Sequence, residues 1–339
     1  MQAIVLVGGM GTRLRPLTEA TPKQMLPVMG VPMIERVLEA LRSHGVDRAV
    51  VSLGYLPDAF LDAYPNQVIG GVEVTFAIES EPLGTAGAIR FAAADAGIDE
   101  TFLVVNGDIL TDLDVSALVT MHRRLGLEGT IALTPVADPS AYGVVATDPT
   151  GIVEAFVEKP PAGTAPSNNI NAGSYVLEPG FLARVPSSGA VSIEFDTFPL
   201  MVRDRALGAM LDTSYWLDAG TPQTYIQAHL DVLDGTHGLA LPDPVVGGNL
   251  LREGARVEAS AQVTASYVGP GAVVGDGASL TRCVVLDGAT IEAGASVEGS
   301  IVGTCAVVGA GTSLAPITIV GPGATIAPGG FHENERIPA

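Results

Sequence analysis

Residues 8–23 read GGMGTRLRPLTEATPK and directly follow an apolar stretch, Ala3–Val7, that is typical of a buried β-strand. Glycines at positions 8, 9 and 11 allow the backbone to turn sharply and to bring its N–H groups close to a ligand. Arg13, Arg15 and Lys23 add hydrogen-bond donors and positive charge that suit a polyphosphate. The stretch therefore predicts a phosphate-binding loop at the end of the first strand.

The loop differs from two better-known glycine-rich phosphate motifs. A dinucleotide-binding loop carries GxGxxG, and here the last glycine is missing and Arg13 is present. A P-loop ends in GKS or GKT, which this loop does not. The alternative is a plain strand-to-helix turn with surface arginines, and the downstream pair Pro22 and Lys23 disfavours it.

The composition narrows the class of protein. The 339 residues are enough for two domains, and the formal net charge of −20 disfavours binding to nucleic acid or to an acidic membrane surface. Cys283 and Cys305 form neither a spaced metal motif nor a disulfide framework. The first residues lack the basic start of a signal peptide, and no apolar run is long enough to span a membrane. We expect a cytoplasmic protein.

Patterns typical of strands and helices alternate over the first two thirds of the chain and predict an α/β domain. Its sheet is expected to be mostly parallel, with helices on both faces and ligands at the carboxyl ends of the strands. The predicted strands of this sheet are Ala3–Val7, Ala49–Leu53, Val72–Ile78 and Phe102–Asn106. Three shorter strands, Gly143–Thr147, Ile152–Val157 and Ala172–Leu177, are interpreted as an insertion over the same edge of the sheet. Five helices are predicted. The first starts at Pro32, the next three span Pro57–Ala63, Ala86–Ala96 and Val115–Arg124, and the last runs from Thr221 and Pro222 to about Leu233.

From Val257 the pattern changes to aliphatic residues every five or six positions, many followed by a small residue four places on. This hexapeptide repeat is typical of a left-handed parallel β-helix, because each repeat supplies one short side of a triangular coil. A disordered Gly/Ala-rich tail would not keep such a register. We expect residues 1–235 to form the catalytic domain, 236–252 a linker and 253–330 the β-helix, which could mediate assembly, carry a second site or cap the catalytic domain. The aliphatic positions are Val257, Val263, Val268, Val274, Leu280, Val285, Ile291, Val297, Val302, Val308, Leu314, Val320 and Ile326.

Two acids follow strand-like stretches and are candidate metal ligands. Asp108 ends the segment VVNGD, and Asp218 lies in YWLDAGT. Mg²⁺ is typically held by one or two carboxylates together with phosphate oxygens. Each acid alone is as typical of a turn or a helix start. Together with the cationic loop, they favour a metal–triphosphate site.

A second set of polar residues suits a second substrate. Lys159, in the segment EKP, could neutralise a phosphate, and Glu158 beside it could accept hydrogen bonds from hydroxyl groups. Asn171 offers an amide that could read the hydroxyls of a sugar. EKP alone is more typical of a solvated turn.

The combination and order of these motifs resemble the sugar-1-phosphate nucleotidyltransferases, and most closely those that are mannose-1-phosphate guanylyltransferases. The resemblance covers essentially the whole chain, including the hexapeptide tail. It implies a Rossmann-like sheet and a reaction in which an NTP and a sugar 1-phosphate give a nucleotide-sugar and pyrophosphate. The motifs are GGMGTRLRPLT, PKQMLPV, EPLGTAGA, NGD, YGVV, EKP, NAGSYVL and YWLDAGTP.

The resemblance also implies a role for each matching residue, with Mg²⁺ as cofactor. The Mg²⁺ ligands would be Asp108 and Asp218, and the catalytic residues would be these two with Arg13, Lys23 and Lys159. The nucleotide would be bound by Gly8, Gly9, Gly11, Thr12, Arg13, Lys23, Leu83, Gly84, Thr85, Asn106 and Gly107. The sugar phosphate would be bound by Tyr142, Gly143, Glu158, Lys159 and Asn171.

Gln24, Val31 and Phe195 depart from the pattern of the guanylyltransferases and leave the base and the sugar open. GTP and mannose 1-phosphate are favoured. The alternatives are dTTP or UTP as the nucleotide, and glucose 1-phosphate or a cyclitol or heptose phosphate as the acceptor. A non-catalytic sugar-nucleotide sensor is a further alternative, although the acids and lysines needed for catalysis are all present. The β-helix favours a homo-oligomer.

Overall fold

The computed structural model describes residues 1–339. None of its helices combines the length and the apolar character that crossing a bilayer requires. Short 3₁₀ turns lie at Thr12–Leu14, Lys23–Met25 and Pro179–Arg184, and a π-helical turn lies at Ile193–Thr197. The α-helices are α1 (Met33–Ser43), α2 (Pro57–Ala63), α3 (Gly84–Asp95), α4 (Val115–Leu125), α5 (Phe198–Arg203) and α6 (Pro222–Leu233).

Strands fall into two groups, before and after α6. The first group is β1 (Ala3–Val7), β2 (Pro27–Val28), β3 (Val31–Pro32), β4 (Arg48–Leu53), β5 (Val68–Ile69), β6 (Val72–Ile78), β7 (Phe102–Asn106), β8 (Ile109–Thr111), β9 (Gly129–Pro135), β10 (Gly143–Thr147), β11 (Val153–Glu158), β12 (Asn169–Leu177), β13 (Leu207–Leu211) and β14 (Trp216–Asp218). The second group is β15 (Leu250–Leu251), β16 (Arg256–Val257), β17 (Gln262–Thr264), β18 (Tyr267–Val268), β19 (Val273–Val274), β20 (Ser279–Thr281), β21 (Val284–Val285), β22 (Thr290–Ile291), β23 (Ser296–Glu298), β24 (Ile301–Val302), β25 (Val307–Val308), β26 (Ser313–Leu314), β27 (Ile319–Val320), β28 (Thr325–Ile326), β29 (Phe331–His332) and β30 (Arg336–Ile337).

The chain forms two compact units. The sheet unit comprises Met1–Gly9 and Ile34–Trp216, and the coil unit comprises Met10–Met33 and Leu217–Ala339. The division passes through the glycine-rich loop, so that Gly8 and Gly9 belong to the sheet unit and Gly11 belongs to the coil unit. Each unit is described by itself below.

The sheet unit contains a ten-stranded mixed sheet. Its central strands β7, β1, β4 and β6 are parallel. β7, β1 and β4 carry buried aliphatic residues on both faces, whereas buried and exposed residues alternate along most of β6. Beyond β7 follow β12, β10 and β11, each antiparallel to the strand before it in the sheet. β9 also pairs antiparallel with β12, and β13 pairs parallel with β9. The carboxyl ends of the parallel strands meet at one edge of the sheet, which is where such folds bind ligands.

The predicted α/β fold is confirmed, and several predicted bounds agree with the structure to the residue. Val72–Ile78, Phe102–Asn106 and Pro57–Ala63 are examples. Helix α1 begins at Met33 rather than at Pro32, because Pro32 pairs with Pro27 in the hairpin of β2 and β3. The antiparallel strands beyond β7 join the main sheet itself, a pairing that periodicity alone does not reveal.

The coil unit contains the predicted parallel β-helix. Its strands form three parallel sheets, in which each strand pairs with the strand three places further along the chain. The interior is a column of aliphatic and small residues. The aliphatic residues come from one side of the short strands, and most of the small ones come from the turns just before the strands. This is the arrangement that the hexapeptide spacing predicts for a left-handed parallel β-helix.

Helix α6 of the coil unit carries a fully buried histidine. The His229 ring lies 4.9 Å from the Tyr225 ring and 5.2 Å from the Tyr267 ring, measured between centroids. Its Nδ1 lies 3.0 Å from the Tyr225 carbonyl oxygen. Burial lowers the pKa of His229 from 6.5 to about 4, so the folded protein holds a neutral imidazole at pH 7.

We expect this histidine to make the protein less stable in mild acid. Between the unfolded and the folded pKa, the unfolded chain binds a proton that the folded chain excludes, so the free energy of unfolding falls as the pH falls. From pH 7.5 to 5.0 the His229 contribution is a loss of about 2 kcal/mol. Urea unfolding of the wild type and of His229→Phe at both pH values measures it. The variant keeps an aromatic ring between the two tyrosines but cannot titrate, and equal losses in both proteins would contradict the expectation.

Candidate active site

The carboxyl end of β1, the first strand of the sheet unit, lies beside the carboxylate of Glu79. A Cβ atom on Gly54 would lie 3.4 Å from the Gly8 Cα, and one on Gly8 would lie 4.0 Å from Glu79 Oε1. Glu79 follows β6, and its carboxylate accepts hydrogen bonds from Ser52 Oγ at 3.0 Å and from the Leu83 N–H at 3.1 Å. The ends of β1, β4 and β6 therefore gather a glycine turn and a fixed carboxylate at one edge of the sheet.

The segment Leu83–Thr85 was predicted to bind the nucleotide, and it begins α3. Gly84 has a φ of 71°, and a Cβ there would lie 2.6 Å from the Val191 carbonyl oxygen. The Thr85 hydroxyl donates to Glu194 Oε2 at 2.8 Å and accepts from the Ile193 N–H at 2.8 Å. Gly84 and Thr85 thus attach the start of α3 to residues 191–194, which makes the backbone here rigid.

Asn106, Gly107 and Asp108 lie in the turn between β7 and β8. The Gly107 N–H donates to the Leu6 carbonyl oxygen at 3.0 Å, and a Cβ on Gly107 would lie only 3.1 Å from Val7 Cγ2. Glycine therefore allows the strands β1 and β7 to approach closely at the edge where the ligand is expected. Asp108 is half-buried directly after this glycine.

Four residues that were predicted to bind the sugar phosphate lie together. Gly143 pairs with Glu158 across β10 and β11, and a Cβ on Gly143 would lie 2.7 Å from Glu158 Oε2. The Lys159 N–H donates to the Tyr142 carbonyl oxygen at 2.9 Å, and Lys159 has a φ of 47°. Its ammonium group lies 2.8 Å from Glu158 Oε1, while 61% of its side chain is exposed. The lysine therefore projects a charge into solvent from a constrained strand end.

Asn171, the fifth predicted residue of this set, is linked to a buried tyrosine. Its Nδ2 donates to the Tyr175 hydroxyl at 3.0 Å, and its Oδ1 accepts from the Gly173 N–H at 3.0 Å. Burial, and the nearby carboxylates of Glu194 and Glu158, raise the pKa of Tyr175. Tyr175 therefore keeps a neutral hydroxyl group, which lies near the polar side chains of Asn171, Glu158 and Glu194.

In the coil unit, the second half of the glycine loop has a defined turn. Gly11 has a φ of 59° and precedes the 3₁₀ turn Thr12–Leu14. The Thr18 hydroxyl donates to the Gly11 carbonyl oxygen at 2.8 Å. A Cβ on Gly11 would lie 3.0 Å from Thr18 Cγ2 and 3.1 Å from Lys23 Cβ. The absence of a side chain at Gly11 therefore allows the loop to fold back onto the residues that lead to Lys23.

Three predicted catalytic residues of the coil unit converge on one glycine. A Cβ on Gly220 would lie 2.6 Å from Asp218 Oδ1, 2.7 Å from an Arg13 terminal nitrogen and 2.7 Å from Lys23 Nζ. Lys23 Nζ lies 3.6 Å from Asp218 Oδ1, and the Lys23 side chain is 6% exposed. Two cations and one carboxylate from distant parts of the chain therefore point at the same small volume.

The oxygen Asp218 Oδ1 fits a metal ligand. It is buried and accepts no hydrogen bond. Lys23 Nζ, 3.6 Å away, is too distant to donate a hydrogen bond to this oxygen, so a metal ion in direct contact with it would compensate its burial better. No cluster of three or more His, Cys, Asp or Glu side chains is arranged to hold a metal ion. Mg²⁺ at such a site would take its other ligands from phosphate and water, as this ion commonly does.

Sequence reasoning missed Glu79, Tyr175 and Gly220. Glu79 had a detectable signal, since it is an acid directly after a strand, as Asp108 is. Gly220 stands before the Thr221 side chain that caps α6, and that position suggests a structural glycine only. The buried Tyr175 had no signal in the sequence that separates it from other core residues.

The mixed sheet, the glycine loop after its first strand and the charged groups at the strand ends define a class of α/β proteins that bind nucleotides by their phosphates. A family model described as nucleotidyl transferase matches residues 2–235, and one described as the GMPPB C-terminal domain matches residues 245–337. The chain belongs to the nucleotidyl transferase family.

Curated relatives extend over both matched regions. The mannose-1-phosphate guanylyltransferase of Mycobacterium tuberculosis is 36% identical over 294 residues, which are 85% of this chain and 80% of that protein. The probable mannose-1-phosphate guanylyltransferase 3 of Oryza sativa subsp. japonica is 38% identical over 298 residues, 84% of this chain and 81% of that protein. The predicted resemblance is therefore confirmed.

A solved structure resembles part of the chain. HddC from Yersinia pseudotuberculosis, crystallised in complex with GMP-PN, is 32% identical and has a TM-score of 0.57. The match covers 67% of this chain and 97% of HddC.

Proposed function

We propose that this protein transfers a nucleotidyl group from an NTP, with GTP favoured, to a sugar 1-phosphate, with mannose 1-phosphate favoured, and releases pyrophosphate. The observation that carries the proposal is the convergence of Arg13, Lys23 and Asp218 around Gly220. Such a group of charges suits a polyphosphate. The similarity to guanylyltransferases and to a GMP-PN complex supports GTP as the nucleotide.

In the proposed reaction, a phosphate oxygen of the sugar 1-phosphate attacks the α-phosphorus of the NTP in line, and the bond to the β-phosphate oxygen breaks. No protein nucleophile is needed, so the side chains act by positioning and by neutralising charge. Arg13 and Lys23 hold the triphosphate and stabilise the charge on the leaving pyrophosphate. Lys159 holds the phosphate of the sugar. Asp108 and Asp218 are the proposed ligands of Mg²⁺, which supplies Lewis-acid stabilisation of phosphate charge when bound.

Glu79 supports guanine as the base, in the proposed arrangement where the base lies next to Gly8 and Leu83. A carboxylate only accepts hydrogen bonds. Guanine offers two adjacent donors on its pairing edge, N1–H and the exocyclic amino group, whereas thymine and uracil offer one donor between two acceptors. A fixed carboxylate therefore matches guanine better than either pyrimidine.

We expect Glu79→Gln to reduce the preference for GTP over dTTP, because the amide replaces one acceptor atom by a donor. The ratio of kcat/KM for the two nucleotides should fall about tenfold or more. Steady-state pyrophosphate release with each nucleotide measures it, and Glu81→Gln, at an exposed acid two residues further on, is the matched control. An unchanged ratio in Glu79→Gln would rule out the contact with the base.

We expect Lys159→Ala to raise KM for the sugar 1-phosphate about 10–100-fold and to change KM for the NTP much less, because only the acceptor phosphate loses its cation. Steady-state kinetics with each substrate varied in turn test this, with Lys159→Arg as the variant that keeps the charge. An equal rise in both KM values would contradict the assignment.

The lysine content allows an independent measurement. Lys23 and Lys159 are the only lysines in the chain. The Lys159 side chain is 61% exposed and that of Lys23 only 6%, so lysine acetylation followed by mass spectrometry should report mainly on Lys159 and show its protection by the sugar phosphate.

The experiment that tests the proposed function as a whole is pyrophosphate release across a grid of NTPs and sugar 1-phosphates. We expect the highest kcat/KM for GTP with mannose 1-phosphate. The grid includes dTTP, UTP, glucose 1-phosphate and cyclitol and heptose phosphates, so that each alternative has its own result. No release with any pair would refute the proposal and favour a sugar-nucleotide sensor.

Three further proposals concern the compartment, the assembly and the ligands of the enzyme. The unpaired thiols of Cys283 and Cys305 suit a reducing compartment, which supports the cytoplasm. The β-helix supports assembly into a homo-oligomer, since parallel coils with exposed edges commonly associate. The strong negative charge supports small anions held by local cations as ligands, rather than nucleic acid or membranes.

A further inference from the structure

One face of the β-helix is buried on both sides. We call the sheet of β15, β18, β21, β24, β27 and β30 the first face. One residue of each inner strand belongs to the interior of the coil, and the other points outward. These outward residues are fully buried, although on the other two faces the equivalent residues reach solvent. The buried outward residues are Tyr267, Val284, Ile301 and Ile319.

Helix α6 and the segment 10–33 belong to the same compact unit as this face. The His229 ring of α6 packs on Tyr267, and the Tyr225 hydroxyl of α6 donates to the Pro27 carbonyl oxygen at 2.5 Å. At the last coil, a Cβ on Gly321 would lie 2.9 Å from Pro16 Cγ. The segment is therefore held at Pro16 and at Pro27, on both sides of Lys23.

The closest of these contacts is at the turn between β2 and β3. A Cβ on Gly30 would overlap with Arg252 Nη1 and would lie 2.9 Å from the Tyr267 hydroxyl. Arg252 Nη1 is buried and makes no hydrogen bond, so it packs against this turn rather than pairing with an acceptor. Arg252 Nε donates to Asp243 Oδ2 at 2.7 Å, which fixes the guanidinium group. Arg252 and Tyr267 thus support the turn from below, and the φ of 80° at Gly30 disfavours any residue with a side chain at this position.

We propose that the first face of the β-helix positions the phosphate-binding residues of the enzyme, with Arg252 as the positioning residue that acts through Gly30. This inference rests on the proposed function, because it concerns the roles of Arg13 and Lys23. Both lie in the segment that Pro16, Pro27 and Gly30 fasten to the coil unit. A shift of about 1 Å in such groups can cost a hundredfold in rate.

The test compares Arg252→Ala and Arg252→Lys with Arg256→Ala, which removes an exposed arginine from another face. We expect Arg252→Ala to raise KM for GTP about tenfold, with KM for the sugar 1-phosphate changed less than about twofold. Arg252→Lys, which keeps a charge beside Asp243, should recover part of the loss. Arg256→Ala should match the wild type.

Hydrogen exchange of the ligand-free proteins provides a readout that needs no substrate. We expect faster exchange in residues 10–33 of Arg252→Ala, with the interior of the β-helix unchanged. Unchanged exchange in residues 10–33 would overturn the inference, and so would faster exchange throughout the coil unit, since that would mean general loosening. Failure of the proposed function is a different result, because the wild type would then release no pyrophosphate from any pair of substrates.

Discussion

Asp108→Asn is expected to lower kcat about 10²–10³-fold while the protein still folds. The change keeps the shape of the side chain but removes its charge, and a neutral amide is a weaker ligand for Mg²⁺ than a carboxylate. Asp108 is half-buried in the turn after Gly107, so the isosteric replacement leaves the approach of β7 to β1 intact. Pyrophosphate release at saturating GTP and mannose 1-phosphate, with Mg²⁺ varied, measures the effect.

The matched control is Asp99→Asn, which makes the same change at an exposed acid near the opposite end of β7. It should leave kcat unchanged. Thermal unfolding of both variants should give melting temperatures close to that of the wild type. Turnover by Asp108→Asn at the wild-type rate, with the same dependence on Mg²⁺, would rule out Asp108 as a metal ligand.

Much of the fold could be predicted because local patterns carry it. The strand Phe102–Asn106 is a short apolar run bounded by polar residues, and α2 begins at the proline that starts the predicted helix. The β-helix was predictable because a repeat of aliphatic residues leaves few other structures. The pairing of β12 with β7 was not, since periodicity identifies a strand but not its partner.

The residues of the candidate site also fall into those that local sequence predicts and those that depend on tertiary contacts. Asp108 and Lys159 stand beside recognisable strand ends, so the sequence alone pointed to them. Glu79 and Gly220 depend on which segments meet in three dimensions, and for Gly220 these are separated by about two hundred residues. Gly220 matters because Arg13, Lys23 and Asp218 all lie next to it, and no single stretch of sequence contains all four residues.

Gly220→Ala is expected to lower kcat/KM about a hundredfold with little effect on stability. The new methyl group would lie within 2.7 Å of an Arg13 terminal nitrogen, Lys23 Nζ and Asp218 Oδ1, so all three charged groups must move. These are the ends of flexible side chains, and Gly220 does not have a positive φ, so the backbone accepts alanine. Steady-state kinetics and urea unfolding of the variant measure the two effects separately.

The control for this substitution is Gly238→Ala. Gly238 also lacks a positive φ, and a Cβ there would meet no atom within 4 Å. Its alanine variant therefore measures only how the loss of a glycine lowers the conformational entropy of the unfolded chain. Both variants should unfold within about 1 kcal/mol of the wild type, while only Gly220→Ala loses activity. Wild-type kcat/KM in Gly220→Ala would mean that the positions of Arg13, Lys23 and Asp218 around this glycine are irrelevant to the reaction. A loss of stability that matches the loss of activity would assign Gly220 a structural role instead.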